Sequence, residues 1–260
     1  MYTAIIQARM DSKRFPGKVM KKINGNPMLF YVIKQTLASK LINEVIVATT
    51  VSKKDKIIFN YCKDNKIKCY RGSIYDVLDR YYKTAKKFKC DPVIRISADS
   101  PLIDPKIIDR VLKKFLNNTF DYVSNNIEKN KHVWKDSTCN FPVGSVVEIA
   151  TFKSLHLSWK KANIPHDREH VFPYIQSHPE LFKISNVKSR KNLSHIRITV
   201  DKKQDLEFVK EIYRRTSNKK TVITTSDLEQ IISKEPSLLK INENIDFDEG
   251  FKKTLPMKRS

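Results

Sequence analysis

Ile5-Ile6-Gln7-Ala8-Arg9-Met10-Asp11-Ser12-Lys13-Arg14-Phe15-Pro16-Gly17-Lys18 decides how the chain is built. An apolar strand starting near Tyr2 runs into a loop that carries Arg9, Lys13, Arg14 and Lys18, with Pro16 and Gly17 supplying its bend. Arginine grips phosphate oxygens with a planar fork and lysine adds a mobile point charge. A loop holding both suits a polyphosphate whose charge shifts during phosphoryl or nucleotidyl transfer. A solvated basic loop is the plainer reading in a chain this rich in lysine. The segment is not a Walker loop, which needs glycine where Ser12 stands and Ser or Thr where Val19 stands. Nor is there a G-x-G-x-x-G dinucleotide fingerprint, in a chain with only 5 glycines.

Outward from that first strand, Thr3 to Gln7, strands and helices alternate. A helix is predicted from about Pro27 to Ala38, a β-branched strand from Glu44 to Thr49, a helix from Lys54 to Asn65 and a short strand from Lys66 to Tyr70. Ile74 to Phe88 reads as a helix with Val77, Leu78, Tyr81, Tyr82 and Ala85 on one face; Val93 to Ser97 is a buried strand and Pro105 to Leu116 a helix opened by proline. This order predicts an α/β, three-layer Rossmann-like fold, a mostly parallel sheet with helices on both faces. Ligands of such sheets bind beyond the carboxyl ends of the strands, which puts the Arg9 loop, Arg71 and Asp99 on one rim.

The pattern weakens from about Asn125 into a polar stretch, read as a loop or projecting arm within 125–150. Phe141 to Glu148 then reads as a turn and strand, Thr151 to Trp159 and Pro165 to Gln176 as helices, Ile196 to Val200 as a return to the sheet, and Lys202 to Tyr213 as an amphipathic helix. One domain is expected over 1–235, with a charged tail over 236–260.

With 260 residues, 40% of them hydrophobic, the chain can bury a large core. No apolar run approaches the ~18 residues of a membrane span, and the start lacks the basic region of a signal peptide. A cytoplasmic protein with no membrane partner is expected. Cys62, Cys69, Cys90 and Cys139 form no C-x-x-C pair, so they read as reduced packing residues. The net charge of +22 is spread along the chain with 28 acidic residues interspersed. That is surface composition more than a groove for a duplex, and no specific nucleic acid is expected, although the charge would draw in an anionic substrate.

Nucleotidyl transfer needs a divalent ion on the triphosphate, and Mg²⁺ takes one or two carboxylates with water and phosphate oxygens. Asp99 follows Val93–Ser97 and Asp201 follows Ile196–Val200, so each would sit at a strand end. Either could instead cap the helix that follows. Asp76 and Arg80, four apart on one helix, read as a surface ion pair or as a ribose or base contact.

Five further segments carry a resemblance: Val45–Thr49; Tyr70–Ser73 with Asp76–Leu78; Arg95–Leu102; Arg168–Val171; and Ile196–Asp201. With the opening loop, in this order and across about residues 2–215, they resemble the cytidylyltransferases that activate acidic sugars, the CMP-Kdo and CMP-acylneuraminate synthetases. The resemblance is greatest to the spore coat polysaccharide SpsF branch. It implies a fold of the nucleotide-diphospho-sugar transferase type, a homodimer, and transfer of CMP from CTP to a small anionic acceptor with Mg²⁺ and release of pyrophosphate. It assigns Arg9, Arg14 and Lys18 to the phosphates and to catalysis, and Asp99 and Asp201 to catalysis and the metal. Ala8, Arg71, Ser97 and Asp99 join the nucleotide-binding set, and Glu148, Arg168, Glu169 and His170 the acceptor site. Ser97 departs from the sugar-acid synthetases, which often carry an amide there.

Other readings compete. His166-Asp167-Arg168-Glu169-His170 fits the H-x-x-E-H of a zinc peptidase. Asn244 to Gly250 echoes a calcium loop with its glycine one position late, and Asp246-x-Asp248 echoes a glycosyltransferase metal motif but follows no strand. A glycosyltransferase of related fold would release a nucleoside diphosphate and no pyrophosphate. A basic nucleic-acid-binding protein is disfavoured because no aromatic-rich RNA motif or recognition helix is present.

Overall fold

The computed structural model describes residues 2–126, 140–216 and 221–245. Strand β1 (Tyr2–Gln7) takes the middle of its sheet because Ala4, Ile5 and Ile6 are apolar in succession and all wholly buried, as a strand covered on both faces must be. A short hairpin, β2 (Lys22–Ile23) and β3 (Asn26–Pro27), leads to α1 (Met28–Leu37). There follow β4 (Ile42–Thr50), α2 (Lys56–Asp64), β5 (Lys68–Gly72), α3 (Val77–Phe88), β6 (Val93–Ser97) and α4 (Pro105–Leu116). β1 pairs in parallel with β4 and β6, and β4 in parallel with β5.

The second half adds β7 (Tyr122–Ser124), β8 (Glu148–Ala150), α5 (Phe152–Lys161), α6 (Pro165–His170), α7 (Pro173–Ser177), β9 (Ile184–Asn186), α8 (Lys203–Arg215) and α9 (Thr225–Lys234). β8 runs antiparallel between β6 and β7, and β9 lies parallel to β7, giving the order β5-β4-β1-β6-β8-β7-β9. The alternation of side chains along each strand splits the core in two. Ala4, Ile6, Val45, Val47, Ile94 and Ile96 pack with residues of α1, α2, α4 and α8, while Ile5, Ile46, Ala48 and Val93 pack with residues of α3 and α5. This is the expected three-layer α/β fold. None of the helices formed by the described residues is long and apolar enough to cross a membrane.

Four sequence expectations shift. Ile196 to Val200 does not join the sheet: it makes a single bridge, Val143 to Arg197, and the Val200 N–H donates to the Asp99 carbonyl at 2.8 Å. Ile196, Ile198 and Val200 point inward as in a strand, but their neighbours lie beyond the strand ends, so the segment crosses the rim of the sheet. The helix expected over Pro165–Gln176 breaks into α6 and α7, because Val171 adopts φ 77° and Pro173 disfavours helix in the residue before it. Within the expected arm, residues 127–139 lie outside the described residues. Its flanks belong to the body, where Asn125 donates to the Ser145 carbonyl at 2.7 Å and accepts from the Val147 N–H at 2.8 Å. The packed body also runs past 235: Leu238 is buried in the core and Ile245 is buried as well. The Asp246-x-Asp248 motif lies outside the described residues.

Candidate active site

The cationic loop is held open by its own backbone and by one buried acid. Beyond β1 the Ala8 N–H still reaches the Ala48 carbonyl at 3.2 Å, and the Gly17 N–H returns to the Met10 carbonyl at 2.8 Å, closing a ring of loop residues. Gly17 has φ 71°, the left-handed region that glycine reaches without a Cβ clash. Asp55, 2% exposed, accepts from the Met10 N–H at 2.7 Å and from the Thr50 hydroxyl, tying the loop to the end of β4. Sequence reasoning missed Asp55, since nothing local separates it from a helix-capping acid. Across the rim, Arg9 Nη2 meets Glu169 Oε1 of α6 at 2.7 Å.

Lys18 joins the remaining parts. Its Nζ, buried with the residue 8% exposed, donates to Asp99 Oδ2 at 2.9 Å, to Asp201 Oδ1 at 2.9 Å and to the Val200 carbonyl at 2.7 Å. Burial by itself would lower the lysine pKa, but Asp99 and Asp201 outweigh it and hold the ammonium above its usual range. Burial would likewise raise Asp99; Lys18 and a hydrogen bond from Ser97 win and keep this carboxylate below its usual range. Arg14 Nη2 adds a 2.6 Å contact to Asp201 Oδ1. Two of the loop cations, Arg14 and Lys18, and the two aspartates, far apart in sequence, therefore meet at one point.

Asp201 stands on a platform that the sequence did not disclose. Arg197 Nη2 reaches Asp201 Oδ2 at 3.1 Å while its Nε holds Asp205 Oδ1 at 2.8 Å. Asp205 Oδ2 accepts the N–H groups of Asp201 and Lys202 at 2.9 Å each, capping α8. Asn242, in the segment expected to be tail, donates to the Arg197 carbonyl and to Asp205 Oδ1 at 3.1 Å. The periodicity of α8 marks Asp205 only as a first-turn acid; its burial is a tertiary fact.

The other expected residues divide. Arg71 has Nε and Nη2 on the carbonyls of Thr50 and Ser52, at 3.0 and 2.9 Å, and lies over Phe59, so these two donors brace the end of β4. Arg168 pairs with Asp76 and donates to the Trp159 carbonyl at 2.8 Å, which makes it a tie between α6, the start of α3 and α5. Glu148 is buried under Arg95 and the Tyr122 hydroxyl, the latter at 2.7 Å, and is likewise spent inside the sheet. Arg80 forms no surface pair with Asp76: it is 1% exposed and its Nη1 donates to the Ser73 carbonyl at 2.5 Å.

Glu169 and His170 remain beside the loop, Glu169 through Arg9. Burial above all, with His166, Arg95 and Arg9 nearby, pushes His170 down to about 3, so its ring is neutral near pH 7. The zinc-peptidase reading fails here, because Glu169 is engaged by Arg9 and no group of three or more acids, histidines or cysteines among the described residues is placed to hold a metal. Two hard carboxylates sharing one cation, Asp99 Oδ2 and Asp201 Oδ1, do fit Mg²⁺, which needs only one or two protein ligands when phosphate and water complete its shell.

A mostly parallel sheet with a phosphate-competent loop at the end of its central strand, and two acids facing that loop, defines a nucleotidyltransferase. The sequence model of the family described as Cytidylyltransferase matches residues 3–241, and the chain belongs to that family, whose members are CTP-dependent nucleotidyltransferases. It is 35% identical over 246 residues to an uncharacterised protein of Methanocaldococcus jannaschii, covering 93% of this chain and 94% of that one. It is 28% identical to the spore coat polysaccharide biosynthesis protein SpsF of Bacillus subtilis, covering 89% and 94%. A shorter match, 33% over 110 residues and 42% of each chain, is to the 3-deoxy-manno-octulosonate cytidylyltransferase of Geobacter metallireducens. Among solved structures, a cytidylyltransferase from Leptospira borgpetersenii superposes with a TM-score of 0.83 at 29% identity, covering 95% of this chain and 98% of that one.

Proposed function

We propose that this enzyme transfers CMP from CTP to an acidic sugar or a similar anionic acceptor, releasing pyrophosphate, as a step in surface polysaccharide biosynthesis. The observation that carries the reading is the junction at Lys18, where the cationic loop of β1 meets Asp99 and Asp201. Relatives named for spore coat polysaccharide biosynthesis and for 3-deoxy-manno-octulosonate support the acceptor class. On this reading the enzyme works in the cytoplasm as a homodimer.

In the reaction an acceptor oxygen attacks the α-phosphorus, the bond from that phosphorus to the bridging oxygen breaks, and pyrophosphate leaves with the electron pair. Arg9, Arg14 and Lys18 hold the phosphates in line and meet the charge that grows on the leaving group, which is catalysis by positioning and preorganised electrostatics. Asp99 and Asp201 would hold Mg²⁺, which when bound neutralises triphosphate charge. Neutral His170 and Glu169 flank the loop where the acceptor would approach.

The test begins with thermal stabilisation by each nucleoside triphosphate with Mg²⁺, followed by pyrophosphate release against a panel of sugar acids and phosphorylated acceptors. CTP is expected to stabilise most, and at least one anionic acceptor to release pyrophosphate. Asp99→Asn and Asp201→Asn should abolish turnover with the fold intact by circular dichroism. Full activity in either variant removes that residue from the site, and a nucleoside diphosphate product would mark a glycosyltransferase.

A further inference from the structure

We infer that Lys18 is a built-in cation lock on the Asp99–Asp201 pair, so that a divalent metal reaches these carboxylates only when nucleotide phosphates have drawn Lys18 and Arg14 away. The inference deepens the proposed function and rests on its reading of the two aspartates as metal ligands. Lys18 Nζ has three N–H donors, and the structure gives it three acceptors at 2.7 to 2.9 Å, two of them the oxygens Asp99 Oδ2 and Asp201 Oδ1. Asp201 Oδ1 also carries Arg14 at 2.6 Å. The oxygens a metal would use are thus held by two cations.

A divalent ion on those same oxygens would stand within about 4 Å of a buried ammonium, a strongly repulsive arrangement where water screening is poor. Free metal has no means of moving Lys18, because it offers the ammonium no new acceptor. A triphosphate does, since its oxygens replace the carboxylates as partners for both Lys18 and Arg14. The four-carbon stem of lysine and the partly exposed side chain of Arg14, 27% accessible, permit the exchange. Arg197 stays on Asp201 Oδ2 throughout, so Asp201 keeps its orientation while Oδ1 is released. Metal binding becomes conditional on nucleotide without any loop or domain having to move, and the empty enzyme is shielded from adventitious divalent ions.

The experiment measures Mn²⁺ binding by electron paramagnetic resonance, without nucleotide, to wild-type protein, Lys18→Met and Lys18→Met/Asp99→Asn. Lys18→Met is expected to bind Mn²⁺ about tenfold or more tightly than wild type, the scale set by removing one buried cation at this separation; the double variant should lose the gain. Equal affinity in wild type and Lys18→Met overturns the lock, as does a gain that survives Asp99→Asn, since the ion would then sit elsewhere. Should Lys18→Met fail to fold, Arg14→Met takes its place and must shift Mn²⁺ affinity in the same direction. A separate arm adds CTP to the wild type: failure of Mn²⁺ to bind even then sinks the metal reading itself, whereas a tight ternary complex with no effect of Lys18 sinks the lock alone.

Discussion

Gly144→Ala offers a direct measure of how tightly the Asp201 segment is held. Gly144 has φ 101°, and a Cβ added there would stand 2.6 Å from the Thr199 nitrogen, 2.7 Å from its Cβ and 2.9 Å from its Cα. Two of those three atoms are backbone, so no rotamer change relieves the overlap. The loop cannot simply retreat, because Val143 binds the same segment three times: its N–H donates to the Ile196 carbonyl at 2.8 Å, and its carbonyl accepts from the N–H groups of Ile198 at 2.8 Å and Thr199 at 3.3 Å. Placing an L-residue in positive φ costs about 1 to 2 kcal/mol, and overpacking of a tight contact typically costs about 1 to 3 kcal/mol. Their sum, about 2 to 5 kcal/mol, is a large part of the ~5 to 15 kcal/mol that a domain has. Urea unfolding followed by circular dichroism measures the loss. Pyrophosphate release by the folded fraction reports whether Asp201, two residues beyond Thr199, has been displaced. A loss below about 0.5 kcal/mol, the scatter of ordinary surface substitutions, together with unchanged turnover would refute the reasoning.

Asp55→Ala strands the Met10 N–H and the Thr50 hydroxyl, at a cost of about 1 to 3 kcal/mol; it should raise KM for CTP, Asp55→Asn should recover part of the loss, and an unaltered KM would show that the loop needs no such anchor. His170 is held near 3 against an ordinary value of 6.5, so the unfolded chain takes up its proton first as pH falls. Its contribution is whole above pH 6.5 and is lost on the way down, about 2 kcal/mol by pH 5. Urea midpoints at pH 7 and pH 5 should therefore fall less in His170→Gln than in wild type, and equal falls would count against a buried neutral ring. Arg71→Met should weaken the fold by about 1 to 2 kcal/mol through its two lost backbone contacts while leaving the preference for CTP over UTP unchanged; a collapse of that preference would restore Arg71 as a reader of the base.

What the sequence disclosed is what short-range physics determines. Runs such as Val93 to Ser97 and the proline-opened Pro105–Leu116 helix are set by local hydrophobic order and backbone stereochemistry, and both appear where expected. The meeting of Lys18 and Asp99 was legible because parallel strands deliver their following loops to one edge; Asp201 was placed beside them by the family resemblance, since the segment before it is no strand of the sheet. The losses share a different cause. Arg80, Arg168 and Glu148 look in sequence like exposed charges, yet Arg80 is turned to the Ser73 carbonyl just before its own helix, and Arg168 and Glu148 meet counter-ions from distant parts of the chain, Asp76 and Arg95. Ile196 to Val200 has the alternation of a strand, but alternation reports only which side faces the core, not whether a partner strand lies alongside. Asp205 and Asn242 acquire their role only when α8 and the segment after α9 pack together.

The same contacts explain how so cationic a rim exists in a folded protein. Arg9, Arg14, Lys18 and Arg197 crowd one end of the sheet, and like charges at such range oppose folding unless they are answered. They are answered by acids from separate parts of the chain, Glu169 on α6, Asp99 after β6, Asp201 before α8 and Asp205 within it. On the proposed function Asp99 and Asp201 also carry the oxygens the chemistry requires, so the pair that steadies Lys18 is the pair that must let go when substrate arrives. Asp205 and Glu169 hold no metal on this reading, and they keep Arg197 and Arg9 in place during the exchange. A site built this way needs its acids in two classes, one released by phosphate and one not. Arg197 divides them, with one nitrogen on Asp201 and another on Asp205.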